Sequence, residues 1–555
     1  QQPFALFHHP VCRQVNSIRT LMPLWSQPID PLRGIALSAL AAALPLAVVL
    51  IVMGWLRKPG YIAAGSGLIC SLVLACSIWG MPVDLALVSA GYGFVYALWP
   101  IMWIVFAALW LYNLSVETGK FDLLRRWMEH HASGDIRVQA IMVAFCFGAL
   151  LEGTAGFGAP VAVTAFLLLA LGFTPKRAVT LSLIANTTPV AFGALGIPIV
   201  ALAGVTGLDQ AKLSAMVGRQ LPLMSLLLPA YLITYHSGRK GLKDAWPAAL
   251  VAGAAFALVQ FAVANYWGPY AVDVLASLSS IVALTIFLRF WQPREIVRPA
   301  LGVQHSGSVT KLSVADSLAS WTPWVALSLV MIVWSYFKVF QKFQISVPVP
   351  WLNNAVYISL YHKPYPALYS FQPLAAGTAA LTATIIAALL LRASARIFIR
   401  SGLTTLRQLL LPGLTVVLIV GLSYTYNYSG MAYTLGAALA RLGKWFPLAS
   451  GFLGWVACFL SGSDTASNLL FGNLQVAAGH QLGISPVLLA ATNSSGAVTG
   501  KMISPQNIAV GVTTVGLAGK EGGILRDVFW HSVAFATVLS LLALAQAYVL
   551  RWMVP

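Results

Sequence analysis

The sequence predicts an all-α polytopic membrane protein with about 12–14 transmembrane helices. Of its 555 residues, 59% are hydrophobic and only 9% are charged, and the mean hydropathy is +0.81. Soluble proteins carry roughly 25% charged residues. The apolar runs are about 20 residues long, enough to cross a bilayer, and they lack the alternation of a membrane β-barrel. This composition excludes a soluble enzyme, a disordered chain and a disulfide scaffold.

Fourteen apolar stretches account for the predicted spans. They fall near 34–56, 61–80, 83–112, 136–151, 178–200, 218–236, 246–267, 270–290, 319–340, 371–393, 404–426, 447–460, 485–510 and 529–553. Pro100 predicts a kink or a division in the third stretch. Segments 114–135 and 428–445 mix charged and apolar residues at helical spacing and suit the membrane interface. We expect residues 341–370, rich in Pro and Tyr, to form an ordered loop.

The basic residues are dispersed through the connections between spans. The chain has 33 Lys and Arg against 15 Asp and Glu, a formal net charge of +18. Pairs such as Arg125-Arg126 and Arg239-Lys240 flank predicted spans, as residues that fix membrane topology do. We therefore expect membrane lipids as surroundings and no nucleic acid as a partner. The sequence carries no indication of oligomeric state.

Corresponding motifs recur in the same order about 312 residues apart. Glu152 corresponds to Asp464, a separation of 312 positions (464 − 152), and Cys146-Phe147 to Cys458-Phe459 at the same separation. GFTP at 172–175 corresponds to GISP at 483–486, and NTTPVAFGALGIP at 186–198 to NSSGAVTGKMISP at 493–505. The order predicts an internal repeat. Many secondary transporters consist of two such halves, with the solute site where interrupted helices meet.

Two segments place acids and glycines inside apolar surroundings. The first, GALLEGTAGFGAPVAVTAF at 148–166, has four Gly, one Pro and Glu152. Irregular backbone at membrane depth is tolerated only where protein or water covers it, so we predict a re-entrant hairpin or broken helix over 152–175. The second, FLSGSDTASNLLFGN at 459–473, is its counterpart and contains Asp464 among several hydroxyls and amides. Small-residue helix packing is the alternative interpretation of the first segment.

A third pair of segments predicts two helix breaks. Asn186-Thr187-Thr188-Pro189 and Asn493-Ser494-Ser495-Gly496 each follow an apolar half-span and have a helix breaker in fourth place. A new helix N-terminus there suits a carboxylate, whereas exposed carbonyls suit a cation. Simple helix capping is the other interpretation. Lys501 either neutralises an anionic solute, pairs with Asp464 or lies at the membrane surface, and Gln506 and Asn507 add amides.

The motifs of ATP-driven pumps and ordinary enzymes are absent from the sequence. It contains no Walker, nucleophile-elbow, HExxH or dinucleotide-binding motif where such a motif would work. The five cysteines have no metal-ligand spacing. We expect a protein that is not an enzyme and that uses no cofactor and no metal.

These motifs resemble the bacterial L-lactate permease family over nearly all of residues 22–555. The resemblance rests on ALLEGTAGFGAPVAVTAFLLLALGF, NTTPVAFGALGIPI, VTGLD, VGRQLP, FLSGSDTASNLLFG and TGKMISPQNIAV. It implies a proton-coupled symporter of L-lactate, with D-lactate and glycolate as further substrates, in the bacterial inner membrane. It also implies two inverted repeats with paired re-entrant hairpins and broken helices.

The predicted site lies between the two hairpin tips, with a small monocarboxylate as its ligand and H⁺ as the coupling ion. We expect Glu152 or Asp464 to carry the proton, because the other acids, Asp273 among them, fall in termini, loops or span ends. The predicted substrate-binding residues are Thr154, Gly156, Asn186, Thr187, Thr188, Ser461, Ser463, Thr465, Asn493, Ser494, Ser495 and Lys501. Na⁺ coupling, an intramembrane hydrolase built on Ser461, Asp464 and Lys501, and a channel are the alternatives.

The sequence predicts a division of the chain into six parts. Residues 1–21 read as a non-native or disordered extension before Met22, and 22–95 as N-terminal spans. Residues 96–205 and 405–515 form the two transport repeats, each with its hairpin. Residues 206–404 form the central spans and loops, and 516–555 the C-terminal span.

Overall fold

A computed structural model describes residues 24–56, 58–131, 134–156, 158–297, 313–337, 339 and 342–555. The predicted extension at 1–21 lies outside the described residues. The described chain is predominantly helical, and each of the fourteen predicted apolar stretches lies mainly in one or more helices. The all-α polytopic prediction is confirmed.

The first part of the chain forms thirteen α-helices, several of which continue into π-helical turns. They are α1 (Ile35–Leu50), α2 (Gly60–Ser77), α3 (Val83–Tyr96), α4 (Trp103–Glu117), α5 (Lys120–His131), α6 (Ile136–Ala140), α7 (Gly148–Thr154), α8 (Ala159–Ala170), α9 (Pro175–Ala185), α10 (Gly193–Thr206), α11 (Gln210–Tyr266), α12 (Val272–Phe290) and α13 (Val314–Tyr336). π-Helical turns at Ile141–Phe147 join α6 to α7. Trp99 has extended backbone angles and separates α3 from α4, where Pro100 predicts a division.

The second part of the chain adds eight α-helices and four of the five short strands. The helices are α14 (Ala376–Leu390), α15 (Ala395–Ser429), α16 (Met431–Leu439), α17 (Phe446–Ser461), α18 (Asp464–Leu482), α19 (Pro486–Lys501), α20 (Pro505–Thr514) and α21 (Glu521–Tyr548). Strand β1 (Trp25–Ser26) pairs in parallel with β3 (Val356–Ile358), which pairs antiparallel with β4 (Lys363–Pro364). Strands β2 (Ile345–Pro348) and β5 (Leu368–Phe371) form a separate antiparallel pair. The described part of the predicted ordered loop therefore contains short paired strands.

Nine helical stretches within the described residues are long and apolar enough to cross a membrane, and ten if one broken pair counts as a span. The sequence predicted 12–14 transmembrane helices, more than these nine or ten, for two physical reasons. The first is that α11 is interrupted at Gly238 (φ 67°), and Ser214 on one side donates a hydrogen bond to the carbonyl of Ala264 on the other. Two predicted stretches thus form the arms of one helical hairpin. The second is that several other stretches are shorter helices.

Two further helical hairpins lie where the sequence predicts them. In the first, α7 ends at Thr154, the backbone turns through Gly156 (φ 56°) and Gly158 (φ 84°), and α8 begins at Ala159. In the second, α17 ends at Ser461, Gly462 (φ 69°) turns the chain, and α18 begins at Asp464. Glycine is suited to both turns because it adopts positive φ at little cost.

The two predicted helix breaks have different outcomes. The first is confirmed: α9 ends at Ala185, and the segments Pro175–Ala185 and Val190–Thr206 are bent by 63° at the break between them. The helix α10 then opens with left-handed backbone at Ala194, Leu195 and Gly196. The second is wrong at Asn493–Gly496, because α19 continues unbroken to Lys501. A Cβ on Gly496 would overlap the carbonyl of Gly451, so this glycine serves close packing of α19 on α17. The interruption comes at 502–504, before α20.

Candidate transport site

A cavity of about 470 Å³ lies between the two hairpin tips. Residues of both predicted repeats line it, and its apolar wall comes from the segment after α1, from α2 and from α15. Seven of the fourteen predicted site residues line it: Glu152, Gly156, Ser461, Ser463, Asp464, Thr465 and Lys501. A mostly apolar concave site with a few converging polar groups is typical of small-ligand binding.

Glu152 and Lys501 form an ion pair that joins the two repeats. Lys501 Nζ donates to Glu152 Oε1 at 2.6 Å, and Asn186 Nδ2 donates to Glu152 Oε2 at 2.8 Å. Glu152 is 3% exposed and Lys501 is 6% exposed. Of the three predicted placements of Lys501, pairing with Asp464 and lying at the membrane surface are both wrong. The basic side chain lies in the cavity wall and neutralises the acid of the opposite hairpin.

Asp464 occupies the first turn of α18, beside the second hairpin tip. Its Oδ2 accepts a hydrogen bond from Ser494 Oγ at 2.8 Å, whereas its Oδ1 has no hydrogen-bond partner among the described residues. Asn468 Nδ2 donates to Ser494 Oγ at 3.1 Å and to the carbonyl of Pro198 at 3.2 Å. Asp464 is 2% exposed. Asp464 is therefore bonded to Ser494 of its own repeat, and Asn468 connects Ser494 to the Pro198 carbonyl of the first repeat.

The other predicted site residues lie behind the cavity wall. Asn493 Nδ2 donates to Asn468 Oδ1 at 3.0 Å, and Ser495 Oγ donates to Gln220 Oε1 at 2.6 Å. Thr154 Oγ1 donates to the carbonyl of Leu150 in its own helix. The hydroxyls of the adjacent Thr187 and Thr188 are buried without a hydrogen-bond partner among the described residues. Asn186 and Ser494 contact the two acids, and the remaining five do not line the cavity.

The sequence prediction omitted several residues that shape this region. Gly193 lines the cavity, and a Cβ there would lie 2.7 Å from Glu152 Oε1, so glycine makes room for the carboxylate. Gln506 and Asn507, noted for their amides, line the cavity from the first turn of α20. Gly193 lies four residues after the predicted break at 186–189, whereas Gln506 and Asn507 follow the interruption at 502–504, which the sequence analysis placed at 493–496.

Asp273 is a third buried acid near the site. The sequence places it at a span end, and it does lie in the first turn of α12, but it is only 1% exposed. A Cβ added to Gly153 would lie 2.7 Å from Asp273 Cβ, so Asp273 packs directly against the residue that follows Glu152. The sequence analysis named only Glu152 and Asp464 as buried acids of the site, and it missed Asp273.

Residues 38–550 match the L-lactate permease family. The L-lactate permease of Salmonella typhimurium is 42% identical over 552 residues, covering 96% of this chain and 100% of that relative. The chain belongs to the L-lactate permease family. The glycolate permease GlcA of Escherichia coli is also 42% identical, over 558 residues, and the L-lactate permease of Bacillus subtilis is 41% identical, over 564 residues. Both alignments cover 96% of this chain and 100% of the relative.

Membership of the L-lactate permease family assigns this chain to the transporters. Its relatives are named permeases, and nine of its helical stretches are long and apolar enough to span a bilayer in the part that the structure describes. It is a multi-pass membrane protein, and its bacterial relatives indicate the inner membrane.

Proposed function

We propose that this permease carries L-lactate together with protons across the inner membrane by alternating access, and that D-lactate and glycolate are further substrates. The observation that carries the proposal is the Glu152–Lys501 ion pair in the wall of a cavity that both hairpin tips enter. The names of the L-lactate and glycolate permeases, aligned over 96% of this chain, support the choice of substrate.

Lys501 is the group best placed to attract a substrate carboxylate. Its ammonium already makes a 2.6 Å charge-assisted bond, and a lactate carboxylate entering the cavity would compete with Glu152 for it. Ser461, Ser463 and Thr465 line the same cavity and offer hydroxyls to the 2-hydroxyl group of lactate. The Asn507 side chain also lines the wall, but its Nδ2 already donates to Ser504 Oγ at 2.8 Å and to the carbonyl of Lys501 at 3.3 Å.

A proton balances the charge that lactate brings. Glu152 and Asp464 as anions and Lys501 as a cation sum to −1, and a lactate anion makes the sum −2. Charges buried away from water are costly unless they are paired, so protonation of one acid favours lactate binding. We propose that Glu152 or Asp464 takes this proton when Lys501 turns to the substrate.

Proteoliposome uptake under separate ion gradients tests this function. With one proton carried per lactate, a gradient of one pH unit supports about tenfold lactate accumulation, because one pH unit is worth about 1.4 kcal/mol. A Na⁺ gradient at equal pH should drive none. Accumulation driven by Na⁺ alone would contradict proton coupling.

The substitutions E152Q and D464N then test the two acids. At least one of them should remove pH-driven accumulation, and that variant should keep exchange of external for internal labelled lactate. D84N is the matched control, since Asp84 is an exposed acid in the first turn of α3. Full pH-driven accumulation in both E152Q and D464N would remove these acids from the coupling role.

A further inference from the structure

Asp273 is a buried carboxyl for which the proposed mechanism has no role. It is 1% exposed, and neither of its oxygens has a hydrogen-bond partner among the described residues. A buried carboxylate without a partner is strongly unfavourable, whereas the neutral acid avoids most of that cost. The surroundings therefore favour a protonated Asp273 in this conformation.

The charged groups that act on Asp273 are those of the transport site. They are Glu152, on the helix that packs against α12, and Lys501, the last residue of α19. Glu152 holds Lys501 at 2.6 Å, which leaves Asp273 without a counter-ion. The close contact between Gly153 and Asp273 fixes the third acid beside the first.

We propose that Asp273 is a proton-binding residue of the transport cycle, which is neutral while Lys501 pairs with Glu152 and ionised when Lys501 is shared between the two acids. This inference rests on the proposed lactate–proton symport. It adds a third carboxyl to the two that enter the cavity.

The protonation state of Asp273 changes the net charge that an entering lactate anion meets. With Asp273 neutral and Glu152 and Asp464 ionised, these three acids and Lys501 sum to −1. When Asp273 releases its proton to water on the receiving side of the membrane, the four groups sum to −2. A lactate anion is then repelled until Asp273 takes up a proton from the other side. Protonation of Asp273 and lactate binding therefore favour each other.

The substitution D273N keeps the shape of the side chain and removes the proton-binding site. In proteoliposomes, wild-type protein that carries one proton per lactate should accumulate lactate about tenfold per pH unit, and D273N should accumulate several-fold less at the same gradient. D273N should retain exchange of labelled lactate, which needs no net proton movement. D84N serves as the control, because Asp84 also occupies the first turn of a helix but is exposed.

The outcomes separate this inference from the proposed function. Absence of pH-driven uptake by the wild type would overturn the proposed function itself. Coupled wild-type uptake with equal accumulation by D273N would overturn only the role of Asp273. If D273N loses exchange as well, D273E decides: recovery of pH-driven accumulation supports a need for the acid, and failure to recover it assigns Asp273 a packing role and overturns the inference.

Discussion

At the residue scale, the buried ion pair between Glu152 and Lys501 predicts a large effect of substitution on stability. Removing one partner of a buried pair leaves the other charge uncompensated, which typically costs about 3–5 kcal/mol. We expect K501M to lower the free energy of unfolding by that amount, and E152Q/K501M to be more stable than K501M alone. Chemical unfolding of the purified protein in detergent measures both.

A matched surface pair provides the control for K501M. Lys176 Nζ lies 2.7 Å from Asp527 Oδ2, but the Lys176 side chain is 57% exposed. Because water screens such pairs, K176M should change stability by less than about 1 kcal/mol. Equal effects of K501M and K176M would contradict the structural importance of the buried pair.

Residue type and local context predicted part of the site. Glu152 and Asp464 stand out because each is an acid beside glycines within an apolar stretch. Asp273 does not stand out, because its position in the first turn of an apolar helix is the same as that of Asp84, which is exposed. The sequence pattern does not distinguish the buried acid from the exposed one. The difference is the contact with Gly153, which is 120 positions away (273 − 153) in the sequence. Tertiary packing of this kind leaves no local signal.

At the scale of elements, the packing of α17 against α19 positions the layer of amides behind the cavity. A Cβ on Gly454 would overlap the carbonyl of Asn493, and one on Gly500 would overlap the carbonyl of Trp455. Small residues let helix backbones approach closely in membranes. The sequence analysis predicted a helix break at Gly496, because composition alone does not distinguish a glycine that breaks a helix from one that allows close helix packing.

The substitution G496A tests this packing. The added methyl group has no space beside the Gly451 carbonyl, so we expect a loss of stability of at least about 1–3 kcal/mol, together with reduced lactate uptake. G91A is the control, because nothing lies within 4 Å of a Cβ at Gly91 in α3. Thermal unfolding in detergent distinguishes them, and a G496A protein as stable as G91A would contradict the close contact.

At the scale of the whole molecule, the cavity has two kinds of wall. One carries the hairpin tips and the ion pair, and the other is an apolar surface that includes Met53, Tyr61 and Val416. Glu152 and Asp464 each accept a hydrogen bond from the corresponding segments at 186–189 and 493–496, but from positions one residue apart in the alignment, Asn186 and Ser494. The inversion of the two repeats remains a prediction. Alternating access would expose the tips to each side in turn.

Thr465→Cys reports on that exposure, because Thr465 lines the cavity at the second hairpin tip. In right-side-out and inside-out vesicles, a membrane-impermeant thiol reagent should label T465C from either side, and lactate should slow the labelling several-fold by filling the cavity. T513C, on an exposed position of α20 outside the cavity, should be labelled at a rate that lactate does not change. The unsubstituted protein provides the background from its own cysteines. Labelling of T465C from both sides at rates insensitive to lactate would favour an open pore over a carrier.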